Sequence, residues 1–240
     1  MIPEWQTGIV QRIESVNAAT RRFFIELPDQ PSFHFMPGQF VTLDLPIHAQ
    51  RNRRWRSYSI ASAPDNSNVI ELLIVLLDGG AGTTYLFNEI KEGSTLTLRG
   101  PHGHFILPPA LNEDIFLICT GTGIAPFRSM AQYLQAHPDT HQHEMHLIFG
   151  CRTTADLLYA DEMNALAGGQ LPNFHYHPTL SRAEWSGRTG YVHAIYEELC
   201  KDHPPAQFML CGWRNMIDGA KERILNMGYD KKAIHLELYG

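Results

Sequence analysis

The rhythm of apolar residues changes near residue 110, and one kind of sheet cannot carry both rhythms. Before that point Val41, Leu43 and Leu45 alternate with Thr42 and Asp44 after the turn Pro37-Gly38, which predicts a strand with one buried face. Similar short runs occur at 23–27, 58–61, 69–77 and 95–98, separated by turn clusters such as Pro64-Asp65-Asn66-Ser67-Asn68 and Asp78-Gly79-Gly80. Many short strands with this punctuation predict an antiparallel barrel or sandwich. After Leu107-Pro108-Pro109, apolar strands at 115–119, 145–149, 174–177, 208–211 and 234–238 alternate with helical stretches near 127–134, 161–166, 192–199 and 216–227. That alternation predicts a parallel sheet with covering helices. Two domains are expected, 1–108 and 109–240, with the Pro-Pro segment as hinge.

Composition narrows the class. A chain of 240 residues has room for two modest domains, and 44% hydrophobic against 18% charged residues excludes wholesale disorder. The net charge of −6 argues against a nucleic-acid partner, whose binding face would be basic. The most apolar stretch, 69–77, is too short to cross a membrane and is interrupted by Glu71. The start, Met1-Ile2-Pro3-Glu4-Trp5, has neither the basic residues nor the apolar stretch of a signal peptide, so a soluble cytoplasmic protein is expected. Cys119, Cys151, Cys200 and Cys211 lie far apart, which argues against a disulfide framework or an iron–sulfur site. Histidine pairs at His102/His104, His141/His143 and His175/His177 would share a strand face, but no carboxylate or cysteine has complementary spacing. No metal site is assigned.

A parallel sheet binds ligands beyond the carboxyl ends of its strands. The turn after the first such strand is Thr120-Gly121-Thr122-Gly123-Ile124-Ala125-Pro126. Its glycines allow a diphosphate to approach the backbone, and Pro126 suits a first helical turn. Lacking a third glycine, it reads on its own equally well as an ordinary turn. The arginines sharpen the reading. Arg152 follows the second parallel strand, Ser181-Arg182 the third, and Arg188 comes six residues later. They are either solvated surface residues or, sharing strand ends, a site for a dianionic 2′-phosphate.

In the first half, Arg51, Arg53 and Arg54 read as a solvated loop, whereas Arg56 opens a strand of alternating polar and aromatic residues. A second glycine-rich turn, Gly79-Gly80-Ala81-Gly82-Thr83-Thr84, precedes a helical stretch at 85–90. Its N–H groups and Thr83 could hold another diphosphate.

These segments resemble, in order and spacing, the ferredoxin–NADP reductase family of flavoproteins over essentially the whole chain. Arg56-Ser57-Tyr58-Ser59 matches R-x-Y-S, Gly80-Ala81-Gly82-Thr83 matches G-x-x-S/T, and Gly100-Pro101-His102-Gly103 matches G-P-x-G. The 120–126 turn matches the nicotinamide-nucleotide loop, and Cys211-Gly212 followed by Met216 matches C-G-x-x-x-M. The resemblance implies a Greek-key FAD barrel followed by an NADP(H)-binding α/β domain. Residue by residue, it implies that Arg56 pairs with the FAD pyrophosphate, Tyr58 packs on the flavin and Ser59 bonds near flavin N5. Leu73, Ile74 and Val75 would line the flavin or its adenine arm, and Cys211 would lie beside the nicotinamide. Glu237 would connect to the Ser59–Cys211 site as a proton relay, and Tyr239 would cover the flavin although Gly240 follows it.

The activity so implied is hydride transfer between NADPH and FAD, with single electrons passed to a carrier such as ferredoxin or flavodoxin. A monomer is expected. The alternatives are an NAD(P)H:flavin reductase, against which Tyr58 and the full glycine turn argue, and the reductase component of an oxygenase system. An inert nucleotide-binding subunit would have no use for Ser59, Cys211 and Glu237 together.

Overall fold

A computed structural model describes residues 3–108, 112–140 and 142–239. Pro109 of the expected hinge, His141 of one histidine pair and Gly240 lie outside the described residues. The chain divides into two compact units. The first runs to Ile106 and takes in Arg128–Gln132; the second comprises Leu107–Phe127 and the residues from Tyr133 onward.

The first unit is antiparallel. Its strands are β1 (Gln6–Asn17), β2 (Thr20–Glu26), β3 (Phe40–Asp44), β4 (Trp55–Ser59), β5 (Val69–Val75) and β6 (Thr95–His102), ordered β4-β3-β6-β1-β2-β5. Ile60, just past β4, bridges Leu72 of β5, so the two ends of the sheet meet and the barrel closes. Inside lie Val10, Phe23, Ile25, Val41, Leu43, Ile70, Leu72 and Leu98, capped by Leu86 and Phe87 of helix α1 (Ala81–Asn88).

One strand was not anticipated, and two local expectations change. β1 carries no clear alternation, because only Gly8 and Val10 of its twelve residues are buried. Helix α1 begins at Ala81 rather than at Tyr85, which brings Gly82 and Thr83 into its first turn. β3 is buried on both faces: Thr42 and Asp44, expected to face water, are 6% and 9% exposed. A second layer covers them. Arg99, the register partner of Thr42, lies over both the Trp5 and the Trp55 ring, at 4.7 and 4.5 Å, and Asp44 is ion-paired to Arg54 at 2.8 Å.

The second unit is a six-stranded parallel sheet. In chain order it contains β7 (Asp114–Thr120), α2 (Ile124–Ala136), β8 (Met145–Cys151), α3 (Ala160–Ala165), β9 (Phe174–Leu180), β10 (Arg188–Thr189), α4 (His193–Leu199), β11 (Ala206–Trp213), α5 (Arg214–Asn226) and β12 (Ile234–Tyr239). The strand order β10-β9-β8-β7-β11-β12 reverses direction at β7, which puts the ligand crevice at the ends of β7 and β11. One face packs Phe116, Ile118, Ile148, Phe208 and Leu210 against α4 and α5. Among the described residues, no helix is long and apolar enough to cross a membrane, and no group of three ligating side chains is placed to hold a metal ion.

An aromatic ladder crosses this sheet. His175, His146, Phe116 and Phe208 stack at successive centroid distances of 4.9, 4.9 and 5.2 Å, and Tyr229 meets Phe208 edge-on at 4.7 Å. His146 Nδ1 lies 3.2 Å from His177 Nε2. Burial, then the mutual proximity of these rings for His146 and the Arg188 charge for His177, lowers both pKa values from 6.5 to about 4. The unfolded chain therefore binds protons that the fold refuses, so stability falls as pH drops from about 6.5 toward 4 and levels off below. Thermal unfolding followed by circular dichroism should show the midpoint falling by several degrees between pH 7 and 4.5, at about 2–4 °C per kcal/mol. His146→Phe, which keeps the stack and removes a titrating group, should flatten that slope. An unchanged slope would show that other groups carry the pH dependence.

Candidate functional site

In the first unit, alternation along β4 puts Arg56 and Tyr58 on one face and Ser57 and Ser59 on the other. Arg56 Nη1 donates to the carbonyls of Arg53 and Trp55 at 3.1 and 2.8 Å. Its stem lies across Gly82, where a Cβ would come within 2.9 Å of Arg56 Cγ. Gly82 is therefore what lets a guanidinium rest over the start of α1. That start has Gly80 at its cap and no capping side chain, so its first N–H groups and the helix dipole face the same place. A cation and a bare helix N-terminus together fit a diphosphate.

Thr83 plays a different part from the one expected. Its hydroxyl accepts from the Leu77 N–H and donates to the Gly80 carbonyl, both at 3.1 Å, so it shapes the turn. Tyr58 packs against the barrel core, and burial pushes its pKa up to about 12 against the pull of Arg56. Its hydroxyl stays protonated. Ser57 contacts Thr42 Oγ1 at 3.1 Å, away from Arg56, while Ser59 is buried at the end of β4. Ile74 belongs to the barrel core. Leu73 and Val75 occupy the opposite face of β5, so the three residues do not line one surface.

In the second unit the turns after β7 and β11 interlock. A Cβ on Gly123 would come within 2.4 Å of the Cys211 carbonyl oxygen, and one on Gly212, at φ +142°, within 2.7 Å of Thr120 Oγ1. Gly121, at φ +55°, has nothing within 4 Å of its missing side chain, leaving the turn open to an approaching group. Thr120 Oγ1 is buried without a hydrogen-bond partner, a spare polar atom beside that opening. Pro126 falls in the first turn of α2, as its chemistry prefers.

Cys211 is fully buried, in register with Cys119 on β7 and Glu237 on β12. Burial, and then the Glu237 and Cys119 charges, push its thiol well above the ordinary range, against a hydrogen bond from Tyr239. It is a neutral thiol and a poor nucleophile. Cys211, Glu237 and Tyr239 thus form one cluster on β11 and β12.

The arginines separate into two groups. The Arg182 N–H donates to the Arg152 carbonyl at 3.0 Å, and the Ser181 N–H and hydroxyl both donate to the Cys151 carbonyl, at 2.9 and 3.2 Å. Arg152 and Arg182 are both exposed and joined through their main chains. Arg188, on β10, instead makes a two-point ion pair with Glu198 at 2.8 and 3.2 Å. Asp156 is committed to its own turn, accepting from the Thr153 N–H and hydroxyl at 3.1 and 2.9 Å. Sequence reasoning missed the partners of Glu71. An acid inside an otherwise apolar strand was the available signal, and its cations lie 49 and 57 residues away.

Residues 7–106 match the family model of an oxidoreductase FAD-binding domain and residues 117–222 that of an oxidoreductase NAD-binding domain. The chain is 35% identical over 237 residues to ferredoxin–NADP reductase B of Sorangium cellulosum, covering 95% of this chain and 94% of that protein. It is 31% identical over 216 residues to the electron transfer component of anthranilate 1,2-dioxygenase from Acinetobacter baylyi, covering 89% of this chain but only 61% of that protein. A cytochrome P450 reductase from Amycolatopsis superposes with a TM-score of 0.87 at 27% identity, over 98% of this chain and 69% of that one. A ferredoxin NADP+ reductase from Neisseria gonorrhoeae, solved with FAD and NADP, shares the fold, with a TM-score of 0.80 at 24% identity over 98% of both chains. With both family models matched in tandem, the chain belongs to the ferredoxin–NADP reductase-like flavoprotein oxidoreductases, an FAD-binding domain followed by an NAD(P)-binding one.

Proposed function

We propose that this oxidoreductase draws electrons from NADPH through a retained FAD and delivers them singly to a carrier protein, ferredoxin or flavodoxin, as a cytoplasmic monomer. The observation that carries the coenzyme reading is the exposed Arg152–Arg182 pair, tied backbone to backbone beside Ser181. FAD, when bound, accepts two electrons together and can release them one at a time. The protein's own work is positioning. Arg56 and the first N–H groups of α1 hold the FAD diphosphate, Tyr58 packs on the flavin, Ser59 bonds near its N5, and Leu73 and Val75 border it. The turn of Thr120, Gly121 and Gly123, backed by Gly212, receives the nicotinamide nucleotide's diphosphate, and Arg152, Ser181 and Arg182 read its 2′-phosphate. Cys211 lies beside the nicotinamide as a neutral thiol, with Glu237 as proton relay and Tyr239 bonded to the thiol. A second reading, an oxygenase component as acceptor, is favoured by relatives named as oxygenase reductases.

Three outcomes test this. Arg56→Ala should fold but purify with less FAD, since a charge-assisted bond to a diphosphate contributes about 1.5–3 kcal/mol; full occupancy at unchanged affinity would remove Arg56 from the site. NADPH should be preferred over NADH, and Arg182→Ala should raise KM for NADPH about tenfold or more while leaving NADH nearly unchanged. Arg188→Ala, whose guanidinium is engaged by Glu198, should matter less. Equal loss with both coenzymes in Arg182→Ala would show that the arginine does not read the phosphate. The third outcome concerns the acceptor. Arg51 and Arg54 share Asp44 while Arg53 is exposed, which leaves a net positive loop able to steer an acidic carrier. Electron delivery should therefore slow at 1 M salt, where the Debye length is about 3 Å, more than reduction by NADPH does. Equal salt dependence of both steps would count against the loop.

A further inference from the structure

A buried charge cluster, separate from the residues assigned above, lies in the first unit. Glu71 on β5 is 3% exposed, and both of its oxygens are engaged. Arg22 donates to them from Nε and Nη2 at 2.7 and 2.9 Å, and Arg128 donates from Nη1 at 2.9 Å. The same Arg128 nitrogen donates to the Ala61 carbonyl at 2.9 Å. The Ala61 N–H in turn donates to the Glu71 carbonyl at 2.8 Å, and the Glu71 N–H donates to Ser62 Oγ at 3.1 Å. The Ala63 N–H donates to Gln132 Oε1 at 3.1 Å. Three successive residues, Ala61, Ser62 and Ala63, are thus held by Glu71 or by the Arg128–Gln132 segment, one residue past the strand that ends in Ser59.

Burying Glu71 and Arg128, beside a partly exposed Arg22 that also pairs with Glu14 at 2.7 Å, is a weak route to stability, because desolvation offsets the Coulomb attraction and apolar side chains of equal volume do as well. What the cluster supplies is orientation. A guanidinium fork meets a carboxylate in few geometries, and here it also aims at a main-chain carbonyl. That carbonyl stands two residues beyond Ser59 and three beyond Tyr58. We propose that Glu71, acting through Arg128, is a positioning residue for β4, holding Tyr58 and Ser59 in the pose that flavin reduction requires. This rests on the reading that FAD binds against β4.

The test is stopped-flow reduction of the FAD-loaded protein by NADPH, read with the visible spectrum of the bound flavin and with thermal unfolding. Glu71→Gln should lower the limiting rate of flavin reduction about tenfold or more with KM within about twofold, and should shift the flavin absorption bands. The double variant Glu71→Gln/Arg128→Gln removes one of the two cations that met the carboxylate, while Arg22 keeps Glu14; it should regain the unfolding temperature lost by the single variant while reduction stays slow. Arg128→Lys keeps a cation opposite Glu71 but loses the fork, so it should fold like the parent and still reduce slowly, which decides the matter even if Glu71→Gln does not fold. Parent-like rate and spectrum in Arg128→Lys, or recovery of both rate and unfolding temperature in the double variant, would overturn the proposal. A parent protein that retains no FAD, or whose FAD is not reduced by NADPH, would overturn the functional reading instead.

Discussion

A carboxylate inside the wall of a closed barrel has to be answered by cations, and the neighbourhood of Glu71 is organised around that requirement. Arg22 reaches it from the adjacent strand, and Arg128 comes from a segment that the contact pattern groups with the barrel rather than with its sequence neighbours. The same guanidinium fixes the main chain leaving β4. Unpaired, the charge would cost several kcal/mol in the barrel wall, so the cluster works only as a complete set. Closure of the barrel depends on the same region, since the Ile60–Leu72 bridge sits directly beside Ala61 and Glu71.

Each unit presents a glycine-rich turn at a strand end whose backbone, rather than many charged side chains, is open to an anion. Helix α1 begins uncapped behind a glycine, with Arg56 laid over Gly82. The turn after β7 is open at Gly121 and closed from below by Gly123 against the Cys211 carbonyl. Glycine is needed at these points for different reasons: Gly82 and Gly123 because another group already fills the space, Gly121 because its φ of +55° lies in the left-handed region. Backbone N–H groups held this way are rigid, and they carry partial charge without the desolvation cost of burying a full cation.

The fold was largely legible because its two halves differ in period. Two-residue alternation with turn residues and strand–helix alternation are local signals, and both sheets follow them. β1 was not legible, because a strand buried at only Gly8 and Val10 leaves no alternation to read. The covered outer face of β3 escaped for another reason: Thr42 and Asp44 are polar, and their cover comes from Arg99, Trp5 and Trp55, distant in sequence. Within the site, residues on one turn were placed by spacing alone, whereas the engagements of Thr83, Arg188 and Asp156 depended on which partner each side chain met first.

Spacing and residue type by themselves determined that this chain folds as an antiparallel half and a parallel half, and that each carries a glycine-rich turn at a strand end. They did so because hydrophobic period, glycine and proline act over a few residues. Only the tertiary structure decided that Arg152 and Arg182 stand together while Arg188 is engaged by Glu198, and that Ile74 faces the core while Leu73 does not. It alone set Glu71 between Arg22 and Arg128. An arginine or a carboxylate takes whichever opposite charge the fold brings within about 3 Å, and that neighbour is chosen by strand register and helix docking, which no local pattern encodes.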